Sequence, residues 1–386
     1  MLTKHNIIGI NRDKLPLISE IKTINKKYIL LNLIIMVILI IGVFAVFNNY
    51  KWYNTTIVKI EKVENSFSNE SEYNTEEKYY NQTVIGTIMN GKLKGQEMYL
   101  LNKYSSSGVF NEKCKPGDEV FVKIASSNNG KLTGTIQSLK RDKYLAILIA
   151  MFIMLLFIIT RRKGIFSVVS LIVNIAVFWY ALDLYSKGHN ILMLCNCLVL
   201  FFTFVSLLFI GGLKKKTFAA ILSTLISVCI TMILFKIVMI STGGVDYAFM
   251  VYITGSTDLE GIFMSQILLG GLGAIMDVAI TEATTINELV DINKELSIKE
   301  LLQAGREVGH DIMGTMINVM LFTYICGSFP LIVLEMKNDV RLHTIILWHM
   351  PMEMYRFLIG SIGILLTIPI SLFVSIIVFK KLRRFA

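Results

Sequence analysis

Eight stretches of this chain are apolar over the length of a membrane crossing: residues 29–47, 144–160, 165–185, 190–212, 217–241, 261–281, 311–334 and 357–379. A helix rising 1.5 Å per residue crosses ~30 Å of hydrocarbon in about that length. Between the first and second stretches the pattern changes. From Glu61 to Tyr80 the sequence is polar with no sustained period, as in a linker or frayed loop. Apolar and polar positions then alternate through TVIGTIMNG, QEMYLLNKY, DEVFVKIAS and KLTGTIQSL, broken at Asn90-Gly91, Pro116-Gly117 and Asn129-Gly130. Alternation punctuated by Asn-Gly predicts hairpins, and so a small β-barrel or β-sandwich of four to six strands.

The pattern therefore predicts an α-helical polytopic membrane protein of about eight transmembrane helices, with a small β-rich, barrel-like extracytoplasmic domain between helices 1 and 2. Its divisions are a tail at 1–28, an uncleaved anchor at 29–47, the β-rich domain at 48–143 and a seven-helix membrane domain at 144–386. Within 335–356, the apolar Thr344 to Trp348 fits either a re-entrant dip or an external half-helix.

Composition supports this reading: 54% of the 386 residues are hydrophobic, 17% are charged and the mean hydropathy is +0.61, which excludes a soluble single domain. The net charge of +10 resides in short clusters beside the apolar runs, namely Lys26-Lys27, Arg161-Arg162-Lys163, Lys214-Lys215-Lys216 and Lys380-Lys381 with Arg383-Arg384. Such clusters anchor topology rather than nucleic acid, and the partner they imply is the lipid bilayer. Threading eight spans with these clusters inside places both termini in the cytoplasm and leaves the 242–260 loop outside, without Lys or Arg. Four of the five cysteines fall in apolar segments, so neither a disulfide framework nor a metal pair is expected.

Asp277 stands where the sixth span crosses the bilayer, and an ionisable group there costs ~2.5–3.5 kcal/mol on insertion scales unless protein or water meets it. Asp277, Thr281, Thr284 and Glu288 share one helical stripe, as do Asp311, Gly314, Thr315 and Asn318 in the next span. The expectation is that both stripes face the bundle, that Asp277, Asp311 and Asn318 point at one another, and that they hold a proton or cation, with Arg306 or His310 as charge partners. Gly270, Gly271 and Gly273, like Gly314, read as sites of close helix approach. In the 282–310 linker, Ser297-Ile298-Lys299-Glu300 is a capping box and Gly305 reads as a stop, which predicts a short amphipathic helix on the cytoplasmic surface. His349 and Glu353 have metal-ligand spacing, but Pro351 between them argues against a helical pair.

The segment Gly270–Glu288 (GGLGAIMDVAITEATTINE), followed by Gly309–Thr315 (GHDIMGT), Asn318 and Tyr324, resembles the YibE/F family of bacterial multi-pass membrane proteins. The sharpest likeness is Met-Asp-Val at 276–278 with Asp-Ile-Met-Gly-Thr-Met at 311–316. This chain departs from the pattern at Thr281, Glu282, Thr284 and Thr285, where the family favours Ser, and at His310, where it has a basic residue. The resemblance implies an N-terminal anchor, an external β-rich domain, seven further spans and a place in the bacterial cytoplasmic membrane. It implies no reaction.

No phosphate-cradling loop, zincin motif or Gly-x-Ser-x-Gly elbow is present, so the expectation is a protein that is not an enzyme and uses no cofactor or metal. Two functional readings remain. One is a permease-like secondary transporter of an unidentified small solute or ion that uses intramembrane acids. The other is a non-transport scaffold whose extracytoplasmic domain binds an envelope protein partner.

Overall fold

The computed structural model describes residues 26–68, 78–106, 108, 112–128, 131–160, 162–245, 247 and 258–381, and the chain divides into two compact units, 1–162 and 163–386. The N-terminal tail, the Asn129-Gly130 turn and most of the 242–260 loop lie outside the described residues.

The first unit holds α1 (Lys26–Phe47), five strands and α2 (Asp142–Thr160). The strands are β1 (Thr56–Ser68), β2 (Tyr79–Ile88), β3 (Glu97–Ser105), β4 (Glu119–Asn128) and β5 (Lys131–Leu139). They close a barrel in the order β1-β2-β3-β5-β4. With β4 beside β1, the run β4-β1-β2-β3 is a Greek key, and β5 completes the ring, parallel to β3 and antiparallel to β4. Alternate positions fill the interior with Val58, Ile60, Val84, Ile88, Met98, Leu100, Val120 and Val122. Of the linker expected over Glu61–Tyr80, residues 61–68 are instead the second half of β1, where a bulge between Ile60 and Lys62 shifts the register and breaks the period of two, and residues 69–77 lie outside the described residues. Asn90-Gly91 lies in the loop of the antiparallel β2–β3 hairpin, as expected, and that loop runs from 89 to 96. Asn90 is buried, accepts from the Ile57 amide and donates to the carbonyls of Tyr50, Tyr53 and Thr55, tying the loop to the segment entering the barrel.

Where the barrel joins α1 and α2, a buried ion cluster forms. Lys140 is 2% exposed and its Nζ lies 3.2 Å from Glu119 Oε2 and 3.0 Å from Asp142 Oδ1. Tyr50 donates its hydroxyl to Glu119 Oε1 at 2.8 Å, while Tyr53 and Asn49 donate to Asp142 Oδ2 at 2.9 and 2.7 Å. The Tyr50 and Tyr53 rings flank the ammonium at 5.4 and 5.9 Å. Burial first, and the Glu119 hydrogen bond second, push the Tyr50 phenol up to about 12.

The second unit is helical: α3 (Arg162–Ser186), α4 (Ile191–Gly211), α5 (Lys215–Thr242), α6 (Leu259–Ile292), α7 (Ile298–Lys337) and α8 (Leu342–Ile376), ending in a π turn at Ile377–Lys381. Among the described residues, seven helices, α2 to α8, are long and apolar enough to cross a membrane, and α1 is apolar from Leu33 to Phe47. The chain is thus a polytopic membrane protein with a β domain ahead of most of its helices.

Helix α6 packs against α4, α5, α7 and α8. Its contacts with α8 advance together, Gln266 meeting Arg356, Gly271 meeting Gly360 and Ile275 meeting Gly363, so the two run parallel. Against α7 the order reverses, with Gly270 near Tyr324 and Glu282 near Gly305 and Gly309. Small and hydroxyl side chains allow this closeness. Ser223, Thr224 and Thr231 on α5, and Thr367 on α8, bond back to carbonyls one turn earlier and present little more than methyl-sized bulk.

The predicted surface helix and the span after it are one helix. The capping box at Ser297 starts α7 as expected, Glu300 N meeting Ser297 Oγ at 3.2 Å and Ser297 N meeting Glu300 Oε2 at 2.6 Å. Gly305 does not stop it, because tertiary packing outweighs one glycine's propensity there. Likewise Pro351 lies inside α8, and Thr344 to Trp348 form its first turns rather than a re-entrant segment.

Candidate functional site

The stripe read from sequence on α6 exists, but it looks outward. Asp277, Thr281 and Glu288 are exposed on the second unit, as are Gly270 and Gly273, and Thr284 is half-buried. Thr281 Oγ1 donates to the Asp277 carbonyl at 2.7 Å. On α7, Asp311, Gly314, Thr315 and Asn318 are exposed too, and Thr315 Oγ1 is spent on the Ile312 carbonyl at 2.7 Å. Arg306 donates to His310 Nε2 at 3.3 Å, and among the described residues neither reaches an acid. Among the described residues no hydrogen bond or ion pair joins the Asp277 and Asp311 carboxyl groups to each other or to these cations. Only Gly271 of the first glycine group meets another backbone closely, facing Gly360 of α8, and nothing stands near Gly273 or Gly314. The expectation of an inward stripe fails because the small residues Ala279 and Ala283 mark the opposite side of α6, the side on which α5 and α8 close.

That packed side carries its own acid. Glu282 lies in the row Ile275, Val278, Ala279, Ala283, Ile286 and Val290, and none of its surface is exposed. Among the described residues neither carboxyl oxygen has a hydrogen-bond partner. Two glycines of α7 create the space: a Cβ on Gly309 would stand 2.6 Å from Glu282 Oε1 and 2.6 Å from Ile368, and one on Gly305 would stand 3.3 Å from Glu282 Oε2 and collide with Leu372. Glu282 therefore sits in a slot among α6, α7 and α8, walled by Ile286, Ile368 and Leu372. No cluster of three metal-ligating side chains exists among the described residues, so this lone carboxyl offers no ligand set for a metal ion. A bare anion in such a place is costly, and the chemistry open to the group is to take up and release one proton. The sequence reading passed over Glu282. The signal it held was the Gly305-x-x-x-Gly309 spacing, which lets helices approach closely, together with the phase of Glu282 in the apolar row.

A second polar group lies farther along the same helices. Arg356 of α8 pairs with Glu353 and donates to Gln266 of α6, with its guanidinium 5.5 Å from the Phe263 ring centroid. His349 Nε2 meets Glu335 Oε1 at 2.7 Å. His349 and Glu353 thus stand on one unbroken helix, as Pro351 was expected to prevent, yet each turns to a different partner. The cross-helix partners Gln266 and Arg356 gave no sequence signal, since contact between distant spans decides their role.

Comparison with known proteins divides the chain between residues 139 and 148, ahead of α2. A family model described as YibE/F-like protein matches residues 148–381, and one described as YibE/F family N-terminal domain matches residues 51–139. No curated protein and no solved structure gives a significant match to the chain.

Proposed function

We propose that this chain, which belongs to the YibE/F family, is a proton-coupled, permease-like secondary transporter of a small solute or ion in the bacterial cytoplasmic membrane, with Glu282 as the proton-carrying group. One observation supports the reading: a fully buried carboxyl with neither oxygen partnered among the described residues, at the meeting of three apolar helices. An acid kept in such a place without a partner detracts from stability, and groups of that kind are retained where they act. Opening the glycine-lined face between α6 and α7 toward one side of the membrane would let water deliver a proton to the carboxylate, and opening it toward the other side would let the carboxyl give that proton up to water. The roles that sequence alone gave to Asp277 and Asp311 pass to Glu282 in this reading, and no covalent step on a substrate is assigned to the chain.

The test is solute profiling and growth of a deletion strain complemented with wild type, Glu282→Gln or Asp277→Asn at matched membrane abundance. The amide keeps the shape of the glutamate but releases no proton, so Glu282→Gln should behave as the deletion while Asp277→Asn retains function. Wild-type behaviour of Glu282→Gln would overturn the proposal. A second reading, the scaffold with an envelope partner, draws support from the closed barrel and the ion cluster that seats it on α1 and α2. It predicts that residues 1–162 alone restore the strain.

A further inference from the structure

We propose that the end of the second unit where α4 turns into α5 holds one molecule of anionic phospholipid, its headgroup in a lysine-lined pocket and an acyl chain in the apolar groove that continues from it. The pocket, about 450 Å³, is lined by Lys214, Lys215, Lys216, Asn287, Asp291 and Phe379. Asp291 is engaged by Asn287 Nδ2 at 3.0 Å. Among the described residues no ion pair joins the three lysines to an acid, so three positive charges and one carboxylate line the pocket, an excess of positive charge. The Lys214 side chain does not cap the start of α5, and the partial charge of that 28-residue helix adds to the lysines.

The groove gives the second, independent observation. About 680 Å³ in volume, it is lined by Leu222 and Ile226 of α5, by Pro369, Phe373 and Val374 among others on α8, and by Val378 of the π turn. Helix α5 lines both compartments, and Val378 of the π turn borders the groove while its chain neighbour Phe379 borders the pocket, so the two lie beside each other. The backbone provides reasons for the opening. Pro369 removes a helical hydrogen bond from α8, and the π turn at Ile377–Lys381 widens its end. A free phosphate would use only the pocket, and a zwitterionic lipid would bring a cation against three lysines. An amphiphile with an anionic head fits both compartments. The inward side of α8 bears Ile368 and Leu372, which wall the Glu282 slot, so such a lipid would rest on the back of that wall.

The experiment uses full-length protein, delipidated in neutral detergent, titrated with phosphatidylglycerol, phosphatidylcholine or inorganic phosphate, with binding read by native mass spectrometry and thermal shift. Phosphatidylglycerol should bind and raise the melting temperature, with phosphatidylcholine and phosphate much weaker. Lys214→Gln/Lys215→Gln/Lys216→Gln should cut phosphatidylglycerol affinity about 10- to 100-fold and leave phosphatidylcholine unchanged, while the arginine versions restore it. Leu222→Trp, which fills the groove, should weaken both lipids without altering the preference between them. Equal binding of the two lipids, or a glutamine triple variant as good as wild type, would overturn the site. Protection by phosphate equal to that by phosphatidylglycerol would reduce it to an anion pocket and refute the lipid. A Leu222→Trp protein that binds as wild type would remove the acyl-chain half.

Discussion

Glu282 and Asp277 share a helix and a charge but not a face, since at 3.6 residues per turn they stand roughly 140° apart. That angle explains why the more conspicuous acid was the less buried one. Asp277 draws the eye because it interrupts an apolar run, whereas Glu282 sits among threonines and alanines that read as a helix end. Polarity is written in the sequence; which side of α6 the other helices choose is not, and the choice rests on Ala279, Ala283 and the facing glycines. The slot makes a sharp prediction at this scale. Gly309→Ala would force a methyl to within 2.6 Å of both Glu282 Oε1 and Ile368, so it should destabilise the protein by about 1–3 kcal/mol, read by thermal unfolding in detergent. Gly273→Ala, with nothing near the added carbon, should stay within ~0.5 kcal/mol. Combining Gly309→Ala with Glu282→Ala should recover part of the loss, because the two side chains compete for one space. Equal effects of the two glycine changes would mean that the slot is not where the chain is tight.

Among the elements, the strands β2 to β5 were legible from alternation and α7's start from its capping box, because those signals are local. The second half of β1 was hidden by its bulge, the continuity of α7 and α8 by Gly305 and Pro351, and the seat of the barrel by distance in sequence: Tyr50, Glu119 and Asp142 meet only once the barrel closes. That seat has a pH signature. The fold holds the neutral Tyr50 phenol, by burial and then by its bond to the Glu119 carboxylate, and raises it from 10.0 to about 12. A group whose pKa is raised on folding contributes stability that is complete below its unfolded value and disappears as pH climbs through the folded one. The contribution of Tyr50 should therefore be intact below pH 10 and lost between pH 10 and about 12. Phenolate difference spectra of wild type against Tyr50→Phe should show one tyrosine ionising late, with barrel unfolding following the same window. If the difference spectrum titrates at the ordinary value, the Tyr50–Glu119 contact is not maintained in solution.

For the whole molecule, a β-rich stretch among spanning helices was legible because alternation with a period of two and long apolar runs are both long-range patterns; the family matches meet between residues 139 and 148, ahead of α2, whereas the compact units divide after 162. Orientation is where packing strengthens a charge argument. Lys214, Lys215 and Lys216 share a pocket with the ends of α6 and α8, and Lys380 Nζ bonds the Leu296 carbonyl between α6 and α7. Basic residues far apart in sequence are thereby gathered at one end of the second unit, as the positive-inside rule requires of a cytoplasmic face. Parity does the rest. Among the described residues seven helices of spanning length follow the barrel, so the C-terminus should emerge on the side opposite it, and a single crossing by α1 would put the N-terminus there as well. Reporter tags before Met1 and after Ala386 should therefore signal cytoplasm, and a tag inserted at Asn129 should signal the exterior. A cytoplasmic signal at Asn129 would invert the threading and place the lysine pocket outside. Tags on opposite sides at the two termini would show that one of the eight helices does not cross.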